Sequence, residues 1–366
     1  MTPIENKPKK SFFKKAALVF GIIVLLMTGT LGFLLASEYK PAPEELIALN
    51  GTVNSMLAPG QNFTVTSWNI GYGGLDASTD FFMDGGKTVN PDSKEHVQNT
   101  VNQLAHQIEE LDSDIFLLQE TDINSRRSFH INQAEQIQNT LEQHHDVQSA
   151  FAYNFNVTFI PYPLPPIGHV ESGVLTLNSF QADSATRIAF DSSFKWPVSA
   201  FQLKRGLLVE RMPLENSDKE LVLINLHLEA YDNGHGKAQQ AAKLAQIMND
   251  EYEKGNYVIA GGDFNSVLPG VNPDLYPLEN TEYFMPAVIE STLLPEGWQY
   301  ITDDSVPTAR LLNHPYDASK PDDNQFYVID GFILSPNVTL HQAETADYQF
   351  AWSDHNPVSI EVELNA

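Results

Sequence analysis

The chain opens on its longest apolar pattern. Residues 16–36, AALVFGIIVLLMTGTLGFLLA, are twenty-one uncharged positions. As a helix they span about 32 Å, enough to cross a bilayer core. The next segment, 37–60, holds Pro41, Pro43, Pro59 and Gly60 with few large apolar groups, and predicts a short linker with at most one helical turn. From 61 to 366 the pattern alternates. Apolar runs of strand length occur at 63–70, 114–119, 173–177, 206–211, 221–228, 257–261, 326–334 and 358–364. Three amphipathic stretches predict helices. The first carries Val97, Val101, Leu104, Ile108 and Leu111, opened by Asp92-Ser-Lys-Glu95 as a capping box with Asp92 as the cap. The second carries Ile131, Ala134, Ile137 and Leu141, and the third Ala238, Ala241, Ala245 and Met248. Many strands and few helices imply sheets packed on each other with helices outside, in one domain. The Pro-rich 160–166 stretch and the polar 303–325 segment read as surface loops.

Charge adds an orientation. The formal net charge is -26, yet the first fifteen residues hold five Lys and one Glu. Lys9, Lys10, Lys14 and Lys15 precede the apolar run and Glu38, Glu44 and Glu45 follow it. This bias predicts a basic cytoplasmic tail at 1–15, a single-pass anchor at 16–36 and an outward-facing domain at the cell membrane. The alternative is a signal peptide cleaved near Leu35-Ala36-Ser37. The acidic balance opposes loose, charge-driven binding to nucleic acid or anionic membranes. The absence of cysteine excludes disulfides, Cys-based metal sites and a lipidated signal.

The chemistry sits where the apolar runs end. Tyr257 to Gly262 leads into Asp263 and Asn265, which share one face at strand spacing. The carboxylate can position or deprotonate water and the amide can donate to a phosphate oxygen. The two glycines are expected to let the backbone approach a substrate. Asn69, Glu120, His227, Asp330, Asp354 and His355 stand at or near other strand ends. Each has a plain structural reading: Glu120 as a turn acid, His227 as a satisfied core histidine, Asp330 as half of an ion pair, Asp354-His355 as a cap. Ionisable groups so placed are costly unless paired, hydrated or metal-bound, and one shared site explains the set better than six coincidences.

The motifs SWNI, LLQET, NLHL, GGDFN, VIDGFILS and SDHNPV stand in an order that resembles the endonuclease/exonuclease/phosphatase superfamily of deoxyribonuclease-like phosphoesterases. The resemblance covers roughly 61–366. It implies an α+β fold, a four-layer α/β/β/α sandwich of two mixed sheets with helices outside, preceded here by one transmembrane helix. It also implies Mg²⁺ or Mn²⁺, a hard cation suited to Glu120, with Asn69 and Asp354 as further metal-side residues. Asp263 would orient or activate water, Asn265 would grip the phosphoryl group, and His227 and His355 would contact it. Asp330 would fix the His355 tautomer. Tyr153 and Asn154 fall where such proteins place phosphate-contacting side chains, with a packing aromatic as the alternative for Tyr153; Arg205, in a stretch that resembles the family's middle strands, is read as structural ahead of a phosphate ligand. The expected function is hydrolysis of a phosphodiester, a small or lipid head-group ester ahead of an extracellular nuclease substrate. The basic, aromatic-interleaved stretch that would track a polymer backbone is missing outside the anchor. A catalytically silent binding module fits the intact motif set least. No obligate protein partner is implied.

Overall fold

The computed structural model describes residues 9–231 and 235–366, so the first eight residues of the basic tail lie outside the described part. Helix α1 (Lys9–Ala36) is exposed along its apolar length and stands apart from the globule. The rest follows in chain order: β1 (Glu44–Ile47), β2 (Leu49–Asn50), β3 (Asn62–Asn69), α2 (Lys94–Leu111), β4 (Ile115–Asp122), α3 (Gln133–Leu141), β5 (Gln148–Ile160), β6 (Gly168–Asn178), β7 (Ser184–Ala189), β8 (Gly206–Pro213), β9 (Glu220–His227), α4 (His235–Glu253) and β10 (Tyr257–Asp263). Short strands β11 (Ser266–Val267), β12 (Ala287–Val288), β13 (Gln299–Ile301), β14 (Ala309–Arg310) and β15 (Phe326–Tyr327) precede β16 (Asp330–Leu334), β17 (Val338–Thr345) and β18 (Val358–Leu364).

Two seven-stranded mixed sheets result, ordered β1-β7-β8-β9-β10-β16-β13 and β17-β18-β3-β4-β6-β5-β2. The central pairs β9/β10 and β3/β4 are parallel. Strand alternation decides what goes where. Val65, Ile115, Leu117, Leu221, Leu223 and Ile259 point between the sheets into the main core with Phe332. Their neighbours Phe116 and Leu118 point outward against Leu104, Ile108 and Ile137 of α2 and α3. Val222, Ile224, Val258 and Ala260 do the same against Leu244 and Met248 of α4. This is the expected four-layer sandwich.

Several expectations change. The helix cap is Ser93, not Asp92: Ser93 has extended backbone and its Oγ accepts from His96 N at 3.1 Å. The 37–60 stretch is not a free linker with a helical turn, because β1 pairs with β7 and β2 with β5 at the edges of the two sheets. The 326–334 run breaks at Val328-Ile329 into β15, which pairs with β14, and β16, which pairs with β10. The glycines of GGD make room for protein rather than substrate. A Cβ on Gly261 would strike the Phe332 ring, and one on Gly262, at φ 150°, would strike the Leu226 carbonyl.

Candidate active site

The core stripe of each central strand continues into the site. After Leu117 the next inward position is Gln119, and after Leu223 it is Asn225. Gln119 Nε2 donates to Asn225 Oδ1 at 3.0 Å, and Asn225 Nδ2 donates to the Leu175 carbonyl at 3.0 Å. One step further along the same faces come Asn69 on β3, His227 on β9 and Asp263 on β10, with Asp263 paired in register with both His227 and Asp330. Glu120 breaks the alternation. It lies in a bulge of β4 between Leu118 and Thr121, at φ 54°, and is the one partly exposed residue of that strand. Such a left-handed non-glycine residue is uncommon and here redirects a side chain.

The side chains converge between the sheets. Asp263 Oδ2 receives Asn69 Nδ2 at 3.1 Å and lies 3.3 Å from His227 Nε2 and 3.8 Å from His355 Nε2. Asp263 Oδ1 accepts the backbone N–H of Asn265 at 2.8 Å. His355 Nδ1 meets Asp330 Oδ2 at 2.8 Å, while the His355 carbonyl accepts Trp68 Nε1 at 2.8 Å. Asn69 Nδ2 also reaches Glu120 Oε1 at 3.4 Å. Ser353 Oγ donates to the Asn69 carbonyl at 2.7 Å, which holds the segment bearing Asp354 and His355 against β3. Asn265 Nδ2 donates to the Leu228 carbonyl at 2.9 Å, leaving its second amide proton.

Burial and neighbours set the charges. Burial alone would lower the His355 pKa, but the Asp330 and Asp263 carboxylates hold it well above the ordinary range, so the ring is an imidazolium. His227 is driven the other way by burial, with Arg205 and His355 adding to the effect, and is neutral. Asp263 is raised by burial and by Asp330. Asp354 is pushed up to about 7 by burial, reinforced by Glu120 and opposed by His355 and Arg310.

These groups floor a cavity of about 610 Å³. Asn69, Glu120, His227, Asp263, Asn265, Asp354 and His355 all line it, as do Asn154 and Arg205. Asp330 stands behind His355. Tyr153 lies outside the lining and packs edge-on against Tyr39 and Phe151. The reason is a register shift in β5 between Tyr153 and Phe155, which leaves Asn154 facing the cavity. Both side-chain amide atoms of Asn154 are buried with no hydrogen-bond partner among the described residues. Arg205 Nη1 donates to the His227 carbonyl at 3.3 Å.

Two arginines of the site were not anticipated. Arg127 lies 3.7 Å over the Tyr72 ring and pairs with Asp122 at 2.9 Å. Arg310 donates to the carbonyls of Asp76 and Thr79 at 2.8 and 3.0 Å, and its backbone N–H donates to the Asp354 carbonyl at 3.1 Å. A signal existed for it: Arg310 is the sole Lys or Arg between Asp303 and Ser319.

The donor set fits a hard divalent cation. Glu120 and Asp354 supply carboxylate oxygens, while Asn69 turns its Nδ2 toward Glu120 and Asp263 and its Oδ1 accepts the Gly71 N–H at 3.1 Å, and a buried acid as proton-hungry as Asp354 beside another carboxylate is a site short of positive charge. Ligand atoms of Asp263, Asp330 and His355 also fall within 4.8 Å of one another. In that trio the contacts are already made internally, His355 Nδ1 meeting Asp330 Oδ2 at 2.8 Å and Nε2 lying 3.8 Å from Asp263 Oδ2.

Residues 66–365 match the family model described as the endonuclease/exonuclease/phosphatase family. Among solved structures, an endonuclease/exonuclease/phosphatase from Beutenbergia cavernae is similar with TM-score 0.56 and 13% identity, covering 84% of this chain and 72% of that one. A counterpart from Bacteroides vulgatus gives TM-score 0.53 and 14% identity over 83% of this chain and 100% of that one. ANGEL2, a 2′,3′-cyclic phosphatase solved with adenosine-2′,3′-vanadate, gives 0.53 and 16% over 87% and 99%. At these identities the likeness is one of fold. No curated protein matches the chain in sequence.

Proposed function

Since the chain belongs to the endonuclease/exonuclease/phosphatase family, we propose that it is a membrane-anchored, outward-facing, divalent-metal-dependent phosphodiesterase acting on a small or lipid head-group ester. The observation that carries this reading is the Asp263 carboxylate held between a neutral His227 and a cationic His355 on the floor of the cavity. Glu120, Asp354 and Asn69 would hold Mg²⁺ or Mn²⁺. When bound, such an ion polarises a phosphoryl oxygen and offsets the charge that grows there.

The chain's own groups do the rest. Asn265 N–H and Asn69 Nδ2 fix the Asp263 carboxylate, which orients the attacking water and takes its proton. A carboxylate whose pKa is raised is the stronger base while still largely ionised near neutrality. The water oxygen forms the new P–O bond as the P–O bond to the alcohol breaks, the leaving oxygen takes the His355 Nε2 proton, and the proton gained by Asp263 restores it across the 3.8 Å between them. His355, held by Asp330, turns its Nε2–H toward the phosphoryl group and stabilises its charge. Neutral His227 donates Nε2–H to Asp263 or to a phosphoryl oxygen, and Asn154 and Arg205 grip the non-reacting oxygens.

The apolar span Phe12–Ala36, of mean hydropathy 2.5, is read as a signal anchor with its N-terminus in the cytoplasm and the domain outside. Protease added to intact cells then removes the domain; full protection reverses the topology. For the activity, the full chain in detergent with Mg²⁺ is expected to cleave bis-p-nitrophenyl phosphate and to stop on chelation. No release from that ester, from DNA or from phospholipid would sink the reading.

A further inference from the structure

The rim of the cavity is unlike the rest of this acidic chain. The end of β5 and its connection to β6, 159–167, read FIPYPLPPI and carry no charged residue. Their side chains stand out into solvent, Tyr162 at 75% and Leu164 at 84% exposure. Segment 192–203, between β7 and β8, carries Lys195 as its one charge and exposes Trp196 at 65% and Val198 at 51%. The two segments are one surface. Phe201 of the second packs on Ile160 and Ile167 of the first, and Lys204 N donates to the Asn154 carbonyl at 2.7 Å. Tyr162 and Ile160 from one, and Phe194 and Phe201 from the other, line the cavity mouth. Large side chains this exposed, grouped at the entrance to a site, mark a surface that meets another apolar phase.

The chain itself indicates which phase. The apolar helix ends at Ala36, and two residues later Glu38 Oε1 receives Lys204 Nζ at 2.8 Å. Tyr39 then packs edge-on against Tyr153 and faces the Arg187 guanidinium at 5.9 Å. Two residues reach at most about 7 Å, so the Glu38–Lys204 pair holds the end of the span beside the 192–203 rim. A nucleic acid strand would require cations on this rim, and it has few. A sparsely charged, aromatic and aliphatic rim beside the end of a bilayer-length helix suits a zwitterionic lipid surface, where Trp and Tyr favour the interface.

Building on the anchored phosphodiesterase reading, we propose that the exposed side chains of 159–167 and 192–203 dock into the leaflet that α1 enters, so that the cavity opens onto the membrane and takes its phosphodiester from a phospholipid of that leaflet. Lipid then passes from the bilayer to the site without crossing water, and the rim replaces interfacial water around the head group.

The test uses the full chain reconstituted in phosphatidylcholine vesicles doped with dibrominated phosphatidylcholine. Of the four tryptophans, Trp68 and Trp298 are buried and Trp196 is the most exposed. Bromolipid is expected to quench an emission component that Trp196→Phe removes. The same quenching is expected in His355→Ala, so docking is read even if no ester is cleaved and the catalytic reading fails. Equal quenching of wild type and Trp196→Phe would overturn docking. So would cross-linking between copies through a photoreactive group at position 196, which would assign the surface to self-association. In a second measurement, Leu164→Ser with Trp196→Ser is expected to lower turnover of vesicle phospholipid at least tenfold while bis-p-nitrophenyl phosphate turnover stays within about twofold. Parallel loss on both substrates, or none on either, would equally overturn it.

Discussion

His355, in the segment leading into β18 of one sheet, and Asp330, the first residue of β16 in the other, meet at 2.8 Å through Nδ1 and Oδ2. The pair ties the loop before β18 to the start of β16 and keeps the His355 ring cationic. Asp330→Asn is therefore expected to lower kcat by roughly 10²–10⁴ with the fold intact. It also removes the main group that raises the His355 pKa, so the alkaline limb of the rate profile moves to lower pH. The stability of a raised histidine is fully present below its unfolded pKa and is lost as pH rises through the folded one. The deficit of the variant in denaturation should then be largest below about pH 6.5 and shrink at high pH. An unmoved alkaline limb would remove His355 from the acid role.

Asp354, pushed up to about 7, favours its protonated form in the metal-free fold. The stability it contributes is complete below the unfolded value, near 4, and is lost as pH rises to about 7. Mg²⁺ or Mn²⁺ should reverse that loss, raising the melting temperature more at pH 8 than at pH 5. Asp354→Asn should melt roughly 3–6 °C higher than wild type without metal at pH 8. The variant should also lose most of the metal-induced shift, as differential scanning fluorimetry across a metal titration would read.

Asn154 makes no hydrogen bond through its side-chain amide among the described residues, so Asn154→Ala removes none there. Unfolding midpoints should stay level or rise by up to about 1 kcal/mol in stability. The KM for a diester should rise roughly tenfold with a smaller change in kcat. A destabilised variant with unchanged KM would mean the side chain serves the fold and not the substrate.

Glu210 is a buried acid on β8 outside the cavity. Its Oε2 accepts Asn178 Nδ2 from the other sheet at 2.7 Å, Oε1 has no partner among the described residues, and burial raises its pKa to about 8. Stability should fall by at most about 1.4 kcal/mol per pH unit between about 4.5 and 8 as the folded state is made to release this proton. Glu210→Gln keeps an acceptor for Asn178. It should be more stable than wild type at pH 9 and equal or weaker at pH 5 in urea titrations.

Where the strand pattern was strong, the sequence carried the architecture. β4, β9 and β10 open on apolar runs, β3 alternates apolar with small hydroxyl residues, all four are largely buried, and the polar residues that end them meet in space. Edge and bulged strands were harder to read. β17 alternates weakly because only Val338 and Thr345 are buried, and β5 hides its period behind register shifts. The same bulge made Tyr153 and Asn154 inseparable in the sequence, since which of two neighbours faces the cavity is a question of register. Arg310 had only its isolation as a cation to mark it: it reaches the site from the two-residue strand β14, held by carbonyls of residues more than two hundred positions earlier.

The Gln119–Asn225 amide pair has a consequence for traffic. Beneath it lie Leu117, Leu223, Ile259 and Phe332, a dry layer without titratable groups. Among the described residues this layer closes the floor beneath Asp263 and His355, so both meet solvent on the mouth side of the cavity. In the proposed reaction water enters, and alcohol and phosphomonoester leave, from that side. Product must then clear the threshold before the next ester can arrive.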